Sequence, residues 1–102
     1  MYVVLCNAPV DIAERIARQL VEERLAACVN VVPGLKSFYF WEGALQTDAE
    51  SALWIKVAAD RIDALSQRIR EIHPYQTVEI LALPVDVERS DPAYVAWVRR
   101  LP

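Results

Sequence analysis

One sulfur, one imidazole and two carboxylates are the residues of this chain that chemistry could use together: Cys6, His73, Glu79 and Glu50. Cys6 lies in a short apolar run, Tyr2-Val3-Val4-Leu5-Cys6, which reads as a buried strand turning out at Asn7-Ala8-Pro9. His73-Pro74-Tyr75-Gln76 leaves a helix and leads into the run that carries Glu79. A thiolate beside an imidazole favours a soft or borderline cation such as copper or zinc over magnesium or calcium. The chain has no HxxH, CxxC or HExxH spacing, so no preformed metal cage is written in it. Each residue also has a plainer reading. Cys6 can be a small buried hydrophobe, and His73 can serve a helix C-terminus as a cation. Glu79 can cap a loop or pair with a surface arginine, and Glu50 can be solvated.

An enzyme would make Cys6 the nucleophile and His73 its base, with no third member and no oxyanion loop. Gly34 and Gly43 are the only glycines, so no phosphate-cradling loop exists either. The expectation is a protein that is not an enzyme.

Those residues must be positioned by an alternation of strand, helix, two strands, helix, strand and a last helix. Asp11 and Glu14 stand at capping-box spacing before Ile12, Ile16, Leu20 and Val21, and this helix should end near Arg24 or Leu25. Cys28 to Val32 and Ser37-Phe38-Tyr39-Phe40-Trp41 read as one long strand with a bulge at Pro33-Gly34. Glu42-Gly43 is a two-residue turn, which sets Trp41 against Ala44, Tyr39 against Gln46 and Phe38 against Thr47. Asp60 is the expected cap of a second helix carrying Ile62, Leu65, Ile69 and Ile72, which Pro74 stops. Thr77 to Val85 should form the last strand. Asp91-Pro92 then opens a short helix with Tyr94, Trp97, Val98 and Leu101 on one face and Arg99 and Arg100 in its last turn.

The order βαββαβ is the ferredoxin-like, α+β arrangement, an antiparallel sheet with both main helices on one face, here with an extra C-terminal helix. Its usual strand order, 4-1-3-2, would bring Cys6, Glu79, the helix exit at His73 and Glu50 to one end of the sheet. That order also puts the third strand between Cys6 and Cys28, roughly 9–10 Å of separation, beyond the reach of a disulfide. Both thiols are expected to be free.

Length adds a further constraint. A strand from Cys28 to Trp41 runs roughly 46 Å, whereas a domain of this size is only about 35 Å across. The hairpin should protrude, carrying Phe38, Tyr39, Phe40 and Trp41 on both faces of a ribbon. The terminal helix can fold back over one face. A ribbon has two faces and two edges, however, and a closed homo-oligomer covers all of them.

The whole chain of 102 residues, 11.6 kDa, is expected to be a single domain, 55% hydrophobic and 25% charged. Eleven basic against 14 acidic residues give −3, which argues against nucleic acid and anionic membrane as partners. Its apolar runs are too short to span a bilayer, and Met1-Tyr2-Val3-Val4 lacks a basic n-region, so a cytoplasmic location is expected.

Glu23-Arg24-Leu25-Ala26-Ala27-Cys28-Val29-Asn30, Pro33-Gly34, Ser37, Tyr39, Trp41-Glu42-Gly43, His73-Pro74-Tyr75 with Glu79, Leu83-Pro84-Val85 and Tyr94-x-x-Trp97 together resemble the CutA-type divalent-cation tolerance proteins. The resemblance covers nearly the whole chain in one register. It implies a ferredoxin-like subunit in a tight homotrimer similar to that of the PII signalling proteins, cytoplasmic and linked to tolerance of copper and other divalent ions. It further implies a copper role for Cys6, His73 and Glu79, with any ion held weakly and no cofactor obligatory. Two positions depart from part of the family: Ile72 stands where some relatives have a second histidine, and Val78 where many have a proline. In such a trimer Tyr39, Trp41 and Tyr75 should be buried near inter-subunit clefts, with Glu42, Glu50, Lys56 and His73 as polar lining. An alternative of another class is a signalling or scaffold trimer that takes a small molecule or a protein partner in those clefts.

Overall fold

In the computed structural model, which describes residues 1–100, the elements are β1 (Tyr2–Pro9), α1 (Ala13–Glu22), β2 (Cys28–Trp41), β3 (Ala44–Val57), α2 (Ile62–Ile72), β4 (Leu81–Pro84) and α3 (Pro92–Arg99). A 3-10 turn, Ala59–Arg61, leads into α2. The sheet is antiparallel with order β2-β3-β1-β4, the expected ferredoxin-like arrangement. Alternation along β1 and β3 turns Val4, Cys6, Ala8, Leu53, Ile55 and Val57 into the core, all of them 0% exposed. Against them α1 lays Ile16 and Leu20, and α2 lays Leu65 and Ile69.

The hairpin is as read. Glu42 and Gly43 have φ of 51° and 78°, the left-handed pair that a two-residue turn needs, and Trp41 faces Ala44. The ladder slips between Val32 and Leu35, leaving Pro33 and Gly34 unpaired; proline has no N–H to lose, and Gly34 takes φ 81°. The domain measures 45 × 27 × 22 Å, long for its size. At the hairpin's far end Phe38 and Phe40 are 65% and 76% exposed. The terminal helix does not fold over them.

Several expected boundaries moved, each for a local reason. Helix α1 starts at Ala13 behind Ile12, whose N–H bonds the carbonyl of Pro9; Asp11 falls one residue too early, and no side chain caps the helix. It ends at Glu22 rather than at Arg24 or Leu25, and Val21 lies on the wet face instead of the core. Asp60 sits inside the 3-10 turn, so Arg61 occupies the N-cap of α2, where its side chain makes no capping bond and its guanidinium donates instead to the Arg24 carbonyl at 2.5 Å. The last strand is four residues instead of nine. Its ladder with β1 stops at Leu5↔Leu81, because further along the carbonyl of Asn7 is taken by His73. In α3, capped by Asp91 through the N–H of Tyr94 as expected, Val95 and Val98 are the buried face. Tyr94 and Trp97 stack on each other at 5.7 Å outside it, Arg100 is the C-cap, and Leu101 lies outside the described residues.

After α1 the chain closes a Schellman turn, with Leu25 N–H on the carbonyl of Leu20 and Arg24 N–H on that of Val21. The turn forces Arg24 to φ 60°, where a side chain is strained. Arg24→Gly is therefore expected to stabilise the fold by about 0.5–1 kcal/mol, read as a higher urea midpoint at fixed protein concentration.

Candidate functional site: an acidic aromatic cleft

The bulge and the hairpin turn decide what gathers at the site. Tyr39 and Trp41 are two residues apart on β2, and Tyr39 pairs with Gln46 on β3. Asp48 and Glu50, two and four residues on from Gln46, share its side of the sheet, as does Pro9, the partner of Glu50 on β1. This is the side turned away from the core. The segment after α2 wraps over its end and adds Tyr75 and Glu79. Tyr39, Trp41, Asp48, Glu50, Tyr75 and Glu79 line a cavity of about 510 Å³.

His73 fixes that segment. Its Nδ1 accepts the N–H of Tyr75 at 3.2 Å and so carries no proton. Its Nε2 must then hold the proton and donate it to the carbonyl of Asn7, 2.8 Å away. The ring also meets Tyr75 edge-on, centroids 4.7 Å apart, and is only 6% exposed. Tyr75, so held, donates its hydroxyl to Glu50 Oε2 at 2.9 Å. Burial and the Glu50 carboxylate both push the Tyr75 phenol up. Tyr39 donates to Asp48, which likewise keeps its phenol protonated beyond the ordinary range. Glu79 is pushed up by burial first and by Glu50 second.

The CutA1 divalent ion tolerance protein family matches residues 2–101 in one stretch. The chain belongs to this family. It is similar to the solved CutA1 of Thermus thermophilus, 42% identical with a TM-score of 0.91, over 98% of this chain and 96% of that one. It is similar also to the PII-like protein CutA of Nostoc sp. PCC 7120 in apo form, 42% identical with a TM-score of 0.94, over 97% and 94%. A Xenopus laevis CutA homolog is 45% identical over 87 residues, 85% of this chain. The chain spans about half the length of the vertebrate relatives it matches, 56% of the frog protein and 49% of the human one.

In this CutA chain the proposed ligands do not form a set. Among the described residues no group of three or more His, Cys, Asp or Glu is placed to hold a metal ion. Cys6 lies in the middle of β1 rather than at its end, facing the core opposite Leu53. Burial, then Glu79 and Glu50, raise its thiol from 9.0 to about 12. His73 has both ring nitrogens engaged. Glu50 is largely buried, 6% exposed, with one carboxylate oxygen on the Tyr75 hydroxyl. Glu42 stays in the hairpin turn, and Lys56 lies toward the other end of β3, paired across from Val3 and Cys28 and bonded to Asn30; neither lines this cavity. Asp48 is the residue that sequence reasoning missed. Its i, i+2 spacing to Glu50 on a strand was the available signal.

Cys6 and Cys28 are both free, as β3 between them requires. With a thiol pKa near 12 instead of 9.0, native Cys6 holds roughly a thousandfold less thiolate than an ordinary cysteine. A thiol reagent is expected to modify Cys28 in the native protein and Cys6 only after unfolding. The raised value also sets a sign. The stability it confers is complete below pH 9 and is lost as pH rises toward 12. Denaturation across that window should show a loss in the wild type beyond that in Cys6→Ala.

Proposed function

We propose that this CutA-family chain works as a closed homotrimer whose acidic clefts bind divalent cations weakly, copper among them, as its part in divalent-cation tolerance. The supporting observation is the open side of the sheet. Beside the cleft that side carries Val32, Trp54, Leu81 and Leu83, between 40% and 53% exposed, an apolar surface a lone chain leaves wet. Copies packed on this side, with hairpins crossing, would cover it and the ribbon together. The clefts then lie next to neighbouring copies.

The donors favour loose binding. Glu50, Glu79 and Asp48 offer oxygen, which suits hard ions and Cu(II) with most of their water kept. Cys6 would have to lose a proton near pH 12, and His73 would have to drop Tyr75 or Asn7. Both are assigned here to support Glu50 and Glu79 from beneath rather than to ligate. The free thiols suit a reducing compartment such as the cytoplasm.

Calorimetric titration of the reduced protein with Cu(II), Zn(II) and Mg(II) tests the reading. Weak binding should fall in Glu50→Gln and Glu79→Gln and persist in Cys6→Ser. Binding indifferent to both glutamates, or lost with Cys6, returns the site to the thiol.

The size of the cavity favours a second reading, a PII-like trimer that takes a small molecule there. At about 510 Å³ it matches small-molecule sites rather than a bare ion.

A further inference from the structure

We propose that the cleft recognises an organic ammonium ion, held between the carboxylates of Glu50, Glu79 and Asp48 and the aromatic faces of Trp41 and Tyr39. The inference rests on reading the cleft as a cation site and names the kind of cation.

Glu50 is the starting point. It is 6% exposed and sits on the cavity wall. Its Oε2 has the Tyr75 hydroxyl, while Oε1 has no bond from a described residue. No buried side-chain oxygen among the described residues is left without a partner, so Oε1 must open into the cavity. A carboxylate this deep is costly unless something positive meets it. Nothing among the described residues does. No Lys, Arg or His lines the cavity, and none of the three carboxylates is ion-paired with a described residue.

The acidic wall therefore has room for a positive charge from outside, and the shape it suits can be read from what surrounds it. A bare divalent ion needs several oxygens converging on one point, which these side chains do not do. They spread their charge around a roomy space walled by Tyr39, Trp41 and Tyr75. Diffuse negative charge with aromatic faces suits a large, weakly hydrated cation, because the ring quadrupole attracts it and little water must be stripped. An alkylated ammonium group has those properties. Anionic and neutral metabolites have neither attraction, and the carboxylates repel the first.

The test follows the indole N–H signal of Trp41 in ¹⁵N-labelled protein, assigned with Trp41→Phe. Tetramethylammonium should shift it saturably. The neutral near-isostere tert-butanol, and Glu50→Gln titrated with tetramethylammonium, should each bind about tenfold more weakly or worse. Glu79→Gln should weaken binding in the same direction and serves if Glu50→Gln folds poorly. Equal binding of tert-butanol, or full binding in both variants, overturns the ammonium assignment while leaving a small-molecule cleft. A signal moved by Zn(II) and by no organic ion overturns it while leaving the metal reading. A signal moved by nothing overturns both, as would a crystal structure with a neighbour's Lys or Arg seated on Glu50.

Discussion

Leu83→Asp is expected to separate the proposed trimer into single chains. Leu83 is 47% exposed and pairs with Val3, which places it on the open side of the sheet with Leu81 and Trp54. A carboxylate buried there without a partner costs about 3 kcal/mol or more per subunit, and a closed ring incurs that cost in every copy. Sedimentation equilibrium at dilute concentration should give one chain, 11.6 kDa, for the variant and three for the wild type. Trp54→Glu should act alike from β3. A wild type that sediments as one chain removes the trimer, and a Leu83→Asp variant of wild-type size removes this face as its interface.

The same face explains what was legible in the sequence. A short apolar run gave β1, and turn chemistry gave β3 and the hairpin register, because Glu42-Gly43 and Pro33-Gly34 have few backbone alternatives. Strand length forecast the protrusion. Caps were read less well: Asp11 and Asp60 have the right type, but the turns at Pro9–Ile12 and Ala59–Arg61 shift the helix start past them. The short β4 was hidden for a deeper reason. Thr77–Ile80 has strand-like residues, yet a hydrogen bond between His73 and Asn7, 66 positions apart, diverts it. The site divided along the same line. Tyr39, Trp41, Glu50, Tyr75 and Glu79 were singled out by register or by a motif, and they line one cavity. Cys6 and His73 were read as ligands from side-chain type, which announces a possible ligand; only the fold shows that Cys6 faces the core and that both His73 ring nitrogens are already bonded.

That distinction can be measured at His73. His73→Ala is expected to lower stability by about 3 kcal/mol in buffer containing a chelator, read from urea unfolding at fixed protein concentration. The change leaves the part-buried Asn7 carbonyl with only the weak Cys6 thiol at 3.8 Å, takes the acceptor from the Tyr75 N–H and opens a hole beneath the loop. Amide exchange at Tyr75 and its neighbours should speed up more than in the core strands, because the ring is what ties that segment down. His73→Gln should recover part of the loss, since an amide can both donate and accept. A ligand role predicts the opposite pattern: little change without metal, and a deficit that emerges only as copper is added. Intact stability of His73→Ala under chelation would hand the residue back to the metal. A metal-independent loss makes it the pin that holds Tyr75 on Glu50, and so holds the cleft open on its acidic wall.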